Sequence, residues 1–241
     1  MLRCLRILCL LLFVTSAALS VSADTITLNA VDSGIYDLLG LHNAASKAYT
    51  AGESTSIQVR NYFVFDLSGV APGSITSVTL RLYNPPNGYQ GVSPSARYNI
   101  FDVTTPIPDL QASYLSPSPF SLDILTDLGT GINYGSVIVS SADNDSVINF
   151  SLNAAALSAI NNASGLFAIG GRVTSDVPFP PALSAAIFAF SGQPQDTRQL
   201  VLEATPVPEP TTVLLIGTGL AGLAAKIRRQ RRRQATKSEE A

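Results

Sequence analysis

The sequence predicts an all-β fold, an antiparallel jelly-roll-like β-sandwich flanked by an N-terminal signal peptide and a C-terminal single transmembrane helix. Three observations predict it. Words of alternating polar and apolar residues, such as DTITLNA at 24–30 and ITSVTLRLY at 75–83, recur every ten to twenty residues, as strands joined by turns do. The segments between them are punctuated by glycine and proline, 17 and 15 in the chain, which supply turn conformations and break ladders. Only residues 154–160 follow a good helix N-cap, Asn153, whose side chain can accept a bond from an otherwise unpaired amide.

Residues 24–30 form the first strand. Residues 31–56 show no sustained period and hold Gly34, Gly40 and Gly52, so they read as a long loop with room for one short strand and with His42 on its surface. The strongest strand signal is RNYFVFDL at 60–67 followed by residues 75–83. Phe63, Phe65 and Leu67 alternate onto one face, as do Val78, Leu80 and Leu82, with Pro72-Gly73 punctuating between. Aromatic and β-branched side chains suit a pleated surface, which predicts this pair as the centre of the sheet. The word NPPNG at 84–88 stops the second strand. Residues 98–104 make a further strand, 106–135 read as mostly loop, and 137–140 with 147–152 read as a hairpin around Asp143, Asn144 and Asp145. Residues 166–173, 185–191 and 199–203 complete about nine strands, with Gly170-Gly171 marking a bulge or a close backbone approach.

The two ends are of another kind. Residues 1–23 place Arg3 and Arg6 before an apolar run at 8–14 and finish on Ser20, Ser22 and Ala23, the pattern of a secretory signal peptide cleaved after Ala23. Cys4 and Cys9, the two cysteines, fall inside that segment, so the mature domain at 24–205 is expected to fold without disulfides. It is long enough for one domain with its own core. It carries 14 Asp or Glu against 6 Lys or Arg, a net charge of −8 that argues against nucleic acid and anionic lipid as partners.

The tail, residues 206–241, has three parts in order. These are Val207, Pro208, Glu209 and Pro210; an uncharged run at 211–225; and a basic cluster of Lys226, Arg228, Arg229, Arg231, Arg232 and Arg233. As a helix the run reaches about 22 Å against a hydrocarbon core of roughly 30 Å, a marginal span that snorkelling of Lys226 and Arg228 lengthens. Positive charge beside a span stays on the cytoplasmic side, which turns the domain outward. Gly217, Gly219 and Gly222 spell the GxGxxG of a dinucleotide loop, but that motif works inside a strand-helix-strand unit and only 19 residues follow Gly222. Small residues at Gly217, Ala221 and Ala225 equally suit close helix approach in a membrane. A basic cluster directly after an apolar run reads as a stop-transfer anchor before it reads as a nucleic-acid patch.

The order of motif, apolar segment and arginine cluster resembles the PEP-CTERM sorting signal of Gram-negative bacteria. The resemblance implies recognition by an exosortase, an integral inner-membrane, transpeptidase-like cysteine protease. It implies that Pro208, Glu209 and Pro210 are the recognition motif, 211–225 a transient span and the basic cluster the retention signal. The words RNYFVFDLSGV, SITSVTLRLY, INFSLNAAALSAI and QLVLE are similar to sandwich domains of secreted bacterial surface proteins of the DNRLRE type, related in shape to carbohydrate-binding modules, with no ligand motif to transfer.

Catalytic chemistry is thinly supplied. A Ser-His-Asp site would have to use His42, the one histidine, and no GxSxG elbow accompanies it. Zinc wants more soft or imidazole ligands than the mature domain has. Glycoside hydrolysis needs only two carboxylates, yet the aspartates sit singly in turn contexts, where they satisfy nearby amides. Asp143 and Asp145 could hold calcium or form an ordinary Asx-rich turn. Tyr83, Tyr89, Tyr98 and Tyr114 could form a sugar-stacking platform or serve as strand-end core residues. The expectation is therefore an exported cell-envelope or extracellular-matrix protein, not an enzyme, with no catalytic, metal or cofactor residue and with an exosortase as partner. A carbohydrate-binding module for exopolysaccharide is the alternative, and a secreted polysaccharide-degrading enzyme the second.

Overall fold

The computed structural model describes residues 24–53, 58–174, 185–205, 217, 219–224 and 226–229. Residues Ala23–Thr205 make a compact unit of their own. Its strands are β1 (Asp24–Asn29), β2 (Asp32–Asp37), β3 (Ala51–Glu53), β4 (Gln58–Asp66), β5 (Ile75–Asn84), β6 (Gln90–Gly91), β7 (Ser95–Asp102), β8 (Asn133–Ser140), β9 (Ser146–Ser151), β10 (Leu166–Thr174), β11 (Ala185–Ile187) and β12 (Arg198–Ala204). Helices α1 (Ile107–Leu110) and α2 (Pro119–Asp127) lie between β7 and β8, and α3 (Ala154–Asn162) lies between β9 and β10. All described pairings are antiparallel, in a four-stranded sheet ordered β1-β12-β5-β9 and an eight-stranded sheet ordered β6-β11-β3-β4-β10-β7-β8, with β2 also paired to β4.

The two sheets share one apolar core. Val78, Leu80 and Leu82 of β5 and Leu200 and Leu202 of β12 meet Phe63, Phe65, Tyr98, Ile100 and Ile169 from the larger sheet. The alternation in 60–67 and 75–83 thus places both words in the core, but on opposite sheets. The expectation that they pair side by side is corrected: β4 has β2 on one edge and β10 followed by β3 on the other, while β5 lies between β12 and β9. Their inward faces meet across the core.

The same correction applies to 137–140 and 147–152. β8 pairs with β7 and β9 with β5, so the connection is an arch between sheets and not a hairpin. Ser140 caps a short 3₁₀ turn, Ser141–Asp143, whose Asp143 bonds back to the Ser140 amide, and Asp145 follows at φ 56°. That turn steers the chain out of the sheet.

Two stretches expected as loop hold elements. Residues 31–56 contain both β2 and β3, and 106–135 contain α1 and α2. Ser118 accepts the Ser121 amide, the Ser121 side chain returns a bond to the Ser118 amide, and Pro119 opens the helix. Here the prolines start helices instead of excluding them. The helices cover the outer face of β4, where Tyr36, Tyr62, Val64, Leu110, Ile124, Leu125, Leu128 and Ala168 form a second core. β4 is consequently buried on both faces from Arg60 to Phe65.

α3 starts as expected, with Asn153 Oδ1 accepting from the Ala155 and Ala156 amides at 3.0 and 3.2 Å. The Gly170-Gly171 pair is a close approach. Pairing of β10 runs without interruption there, and a Cβ on Gly171 would collide with the Tyr98 hydroxyl and Asn61 Oδ1. Those two atoms are 2.7 Å apart, and Asn61 Nδ2 donates to the Tyr49 carbonyl at 2.5 Å, a satisfied polar seam inside the core.

The strand expected at 185–191 ends at Ile187, because Phe188 and Phe190 adopt φ 55° and 60°. A bulky residue in this region costs on the order of 1–3 kcal/mol. At Phe188 packing offsets that cost, since its ring is fully buried against Tyr49, Tyr98 and Phe150.

The tail is helical at 217, 219–224 and 226–229. Among the described residues no helix is long and apolar enough to cross a membrane. The rest of the 211–225 run, and the signal peptide, lie outside the described residues.

Gly171→Ala is expected to lower unfolding stability by about 1–3 kcal/mol through overpacking against Tyr98 and Asn61. Asn153→Ala should cost about 1 kcal/mol through loss of the cap. Urea unfolding with an unchanged slope checks both, and a neutral Gly171→Ala would refute the close approach.

Candidate functional site

Of the sorting residues, Lys226, Arg228 and Arg229 are helical and exposed. Ala23, Val207, Pro208, Glu209, Pro210, Arg231, Arg232 and Arg233 lie outside the described residues. Within the domain the chemistry-bearing side chains gather in several places, and each is tied to the fold.

His42 is not on the surface as expected; it is 3% exposed. Gly34 of β2 makes room for it, since a Cβ there would come within 2.7 Å of the His42 and Tyr62 rings. The imidazole stacks on Tyr36 at 4.7 Å between centroids and meets Tyr62 edge-on at 5.5 Å. Its Nδ1 lies 2.9 Å from the Ile35 carbonyl, which can only accept, so Nδ1 carries the proton and Nε2 accepts from the Tyr62 hydroxyl at 3.3 Å. Burial is the largest influence and holds the imidazole pKa below its ordinary value, against the Ile35 carbonyl and Asp32, which favour the charged form.

Asp32, at the start of β2, completes this cluster. Its Oδ1 accepts from Lys47 Nζ at 2.6 Å and its Oδ2 from Gln111 Nε2 at 2.7 Å, with the Tyr62 hydroxyl at 3.4 Å. The carboxylate is 8% exposed and Lys47 44%, so the pair is anchored at one end and solvated at the other. Lys47 and Gln111 join Asp32 from 15 and 79 residues away, and no local pattern marks them.

Arg60 of β4 points onto the outer face and caps the C-terminus of α2, donating Nη1 to the Leu125 and Thr126 carbonyls at 2.6 and 2.9 Å. Arg172 of β10 stands one residue beyond the Gly171–Asn61 pair and meets Glu53 at 3.3 Å. Burial first, then Arg172, brings the Arg60 guanidinium down to about 10, while Glu53 opposes the shift.

Several other aspartates brace turns or tie distant segments together. Asp127 accepts both amides and both hydroxyls of Thr104 and Thr105, Asp37 accepts the Leu39 and Leu41 amides, and Asp196 accepts those of Gly192 and Gln193. Asp143 holds the Ser140 cap, and Asp145 accepts the Tyr83 hydroxyl at 2.5 Å. Among the described residues, no three His, Cys, Asp or Glu side chains cluster as a metal site would require. The four tyrosines form no common platform: Tyr98 and Tyr89 are buried, Tyr83 is engaged by Asp145, and Tyr114 packs between Tyr36 and Phe120.

A shallow polar groove is lined by Asn29, Ala30 and the segment from Pro194 to Gln199. Four residues before Pro194 stands Phe190, 69% exposed on its left-handed backbone. A run reading AAIFAFS gives no warning of this, because the alternation looks like a continuing strand.

Compared with known proteins, the chain shows a likeness at its tail. The family profile described as the PEP-CTERM protein-sorting motif matches residues 206–229. That stretch includes Pro208, Glu209, Pro210, the apolar run and the first three basic residues. The match supports export through an exosortase-dependent sorting pathway, with an exosortase as partner and processing at a membrane. No curated protein matches the chain.

The His42 pKa is depressed in the fold, so the unfolded chain takes up the proton first. The stability this neutral imidazole contributes is intact above its ordinary value of 6.5 and is lost as pH falls through the folded value. His42→Phe keeps an aromatic ring against Tyr36 and should flatten the fall in melting temperature between about pH 7 and pH 5. Unchanged pH dependence in thermal melts would show that His42 does not titrate with folding.

Proposed function

We propose that the chain is an exported envelope or extracellular-matrix protein of a Gram-negative bacterium, in which a jelly-roll-like sandwich at 24–205 has a structural or adhesive, non-catalytic role. The observation that carries this reading is the sorting-motif match at 206–229, directly after a compact β-unit that finishes at Thr205. The run at 211–225 acts as a transient span, the basic cluster from Lys226 to Arg233 stays on the cytoplasmic side, and the exosortase acts on the tail. A removable tail suits a domain that holds itself together without it.

The non-catalytic reading draws support from how the reactive groups are used. His42 is buried between tyrosines, Asp37 and Asp196 accept amides of their own turns, and Asp127 accepts the amides and hydroxyls of Thr104 and Thr105. Adhesion to exopolysaccharide is the more specific form of this reading, favoured by the exposed ring of Phe190 in the loop that leads into the polar groove.

Replacing Pro208, Glu209 and Pro210 together by alanine should leave a slower-migrating, membrane-retained form in a host with an active exosortase. Fractionation followed by immunoblotting checks it. Mobility and location identical to the unaltered protein would defeat the sorting assignment.

A further inference from the structure

The tail leaves the sandwich at an end that is tied down. Thr205 donates its amide and its hydroxyl to the Ser74 carbonyl at 2.8 and 3.2 Å, directly after Ala204 pairs with Ile75. Asn161, the next-to-last residue of α3, holds Ile75 by both backbone groups: its Oδ1 accepts the Ile75 amide at 3.0 Å and its Nδ2 donates to the Ile75 carbonyl at 2.9 Å. The Gly73 amide donates to the Asn161 carbonyl at 3.2 Å, and the Leu67 amide to the Gly165 carbonyl at 2.8 Å. The loop at 67–74, the link at 161–165 and Thr205 thus make one braced surface.

That surface carries no charge of its own. Residues 67–80 and 153–171, which supply it, contain no Asp, Glu, Lys or Arg, although 24–205 holds 14 acidic residues. Its exposed positions, among them Ser68, Ala71, Pro72, Asn162 and Ser164, carry short neutral side chains. Asp66 and Glu203 stand at the margin, where they accept the Ser68 amide and the Thr25 hydroxyl, each at 2.9 Å. A small uncharged surface has no charge to desolvate and few rotamers to freeze when a protein is pressed against it.

Chain length brings the sorting enzyme onto it. Pro206 and Val207 alone separate Thr205 from Pro208, and three steps of fully extended chain reach about 10 Å. A single helix with its side chains is already about 10 Å thick, so an enzyme that encloses Pro208, Glu209 and Pro210 abuts the end of the sandwich. We propose that the surface formed by 67–74, 161–165 and Thr205 is a docking face for the exosortase, read together with the linear motif. The proposal rests on the reading that the exosortase acts on this tail, and it adds the part of the folded domain that the enzyme touches.

The test is pulse-chase processing of the full chain in a host with an active exosortase, read as loss of the slower-migrating form. Ala71→Glu with Ser164→Glu, and separately Ala71→Lys with Ser164→Lys, should each slow processing by about threefold or more, because a charge pressed into the contact loses its water. Gln193 and Gln195, exposed before the start of β12 at the opposite end and changed in the same two ways, should leave the parent rate unaltered. A Gly-Ser insert of about six residues after Thr205, adding roughly 13 Å of reach, should make the Ala71 and Ser164 variants process like the insert-bearing parent. A variant slow through misfolding stays slow with the insert. Parent rates for both double variants, equal slowing by the Gln193 and Gln195 changes, or slowing that survives the insert would overturn the docking face. So would slowing by one sign of charge alone, the mark of a long-range effect at the bilayer surface. An unprocessed parent would end the sorting assignment and this face with it, whereas a processed parent with unaltered variant rates ends only the face.

Discussion

β4 has to satisfy two cores at once, and much of the domain follows from that demand. Its residues alternate by the period of two that any strand imposes, so Phe63 and Phe65 enter the space between the sheets while Tyr62 and Val64 emerge on the far side. An outward face carrying tyrosine and valine cannot be left in water without loss, and α1 and α2 supply the cover. Arg60, on that same face, then finds its partners in the carbonyls at the end of α2. The helix pair and the strand specify one another.

Most polar groups inside this arrangement are bonded, while the buried Nε atoms of Arg60 and Arg172 have no hydrogen-bond partner among the described residues. Asn61 bridges Tyr98 and the Tyr49 carbonyl within the main core, and Gly171 on the neighbouring strand leaves the volume they occupy. On the outer side Asp32 collects Lys47, Gln111 and Tyr62 from distant parts of the chain. Without cysteine between residues 24 and 205, these long-range bonds do the joining that disulfides do in many exported domains. The excess of carboxylates is likewise tolerable because most of the described ones accept backbone amides or hydroxyls at turns, where a negative charge is well solvated or well bonded.

A linear sorting motif and a folded domain make different demands on a chain. A sorting motif is recognised as a short linear pattern, and here it follows the last strand in the sequence. The strained turn at Phe188 and Phe190 belongs to the folded unit and is braced from Asn84, Gly88 and Tyr49. Strain of this kind persists only where the surroundings over-determine it.

By itself the sequence determined the strand words, the α3 cap at Asn153, the inward faces of 60–67 and 75–83, and the sorting signal at 206–229, because alternation, capping and linear motifs are written in neighbouring residues. Tertiary structure alone decided which edges pair. β4 and β5 carry equal claims to a central position, and only competition from β2, β3, β10, β12 and β9 for their edges sends them to different sheets. It also decided that His42 is interior, that Ser118 and Pro119 open a helix, and that the second phenylalanine of AAIFAFS faces solvent. Each of those outcomes depends on partners tens of residues away, and a local pattern carries no information about what will be packed against it.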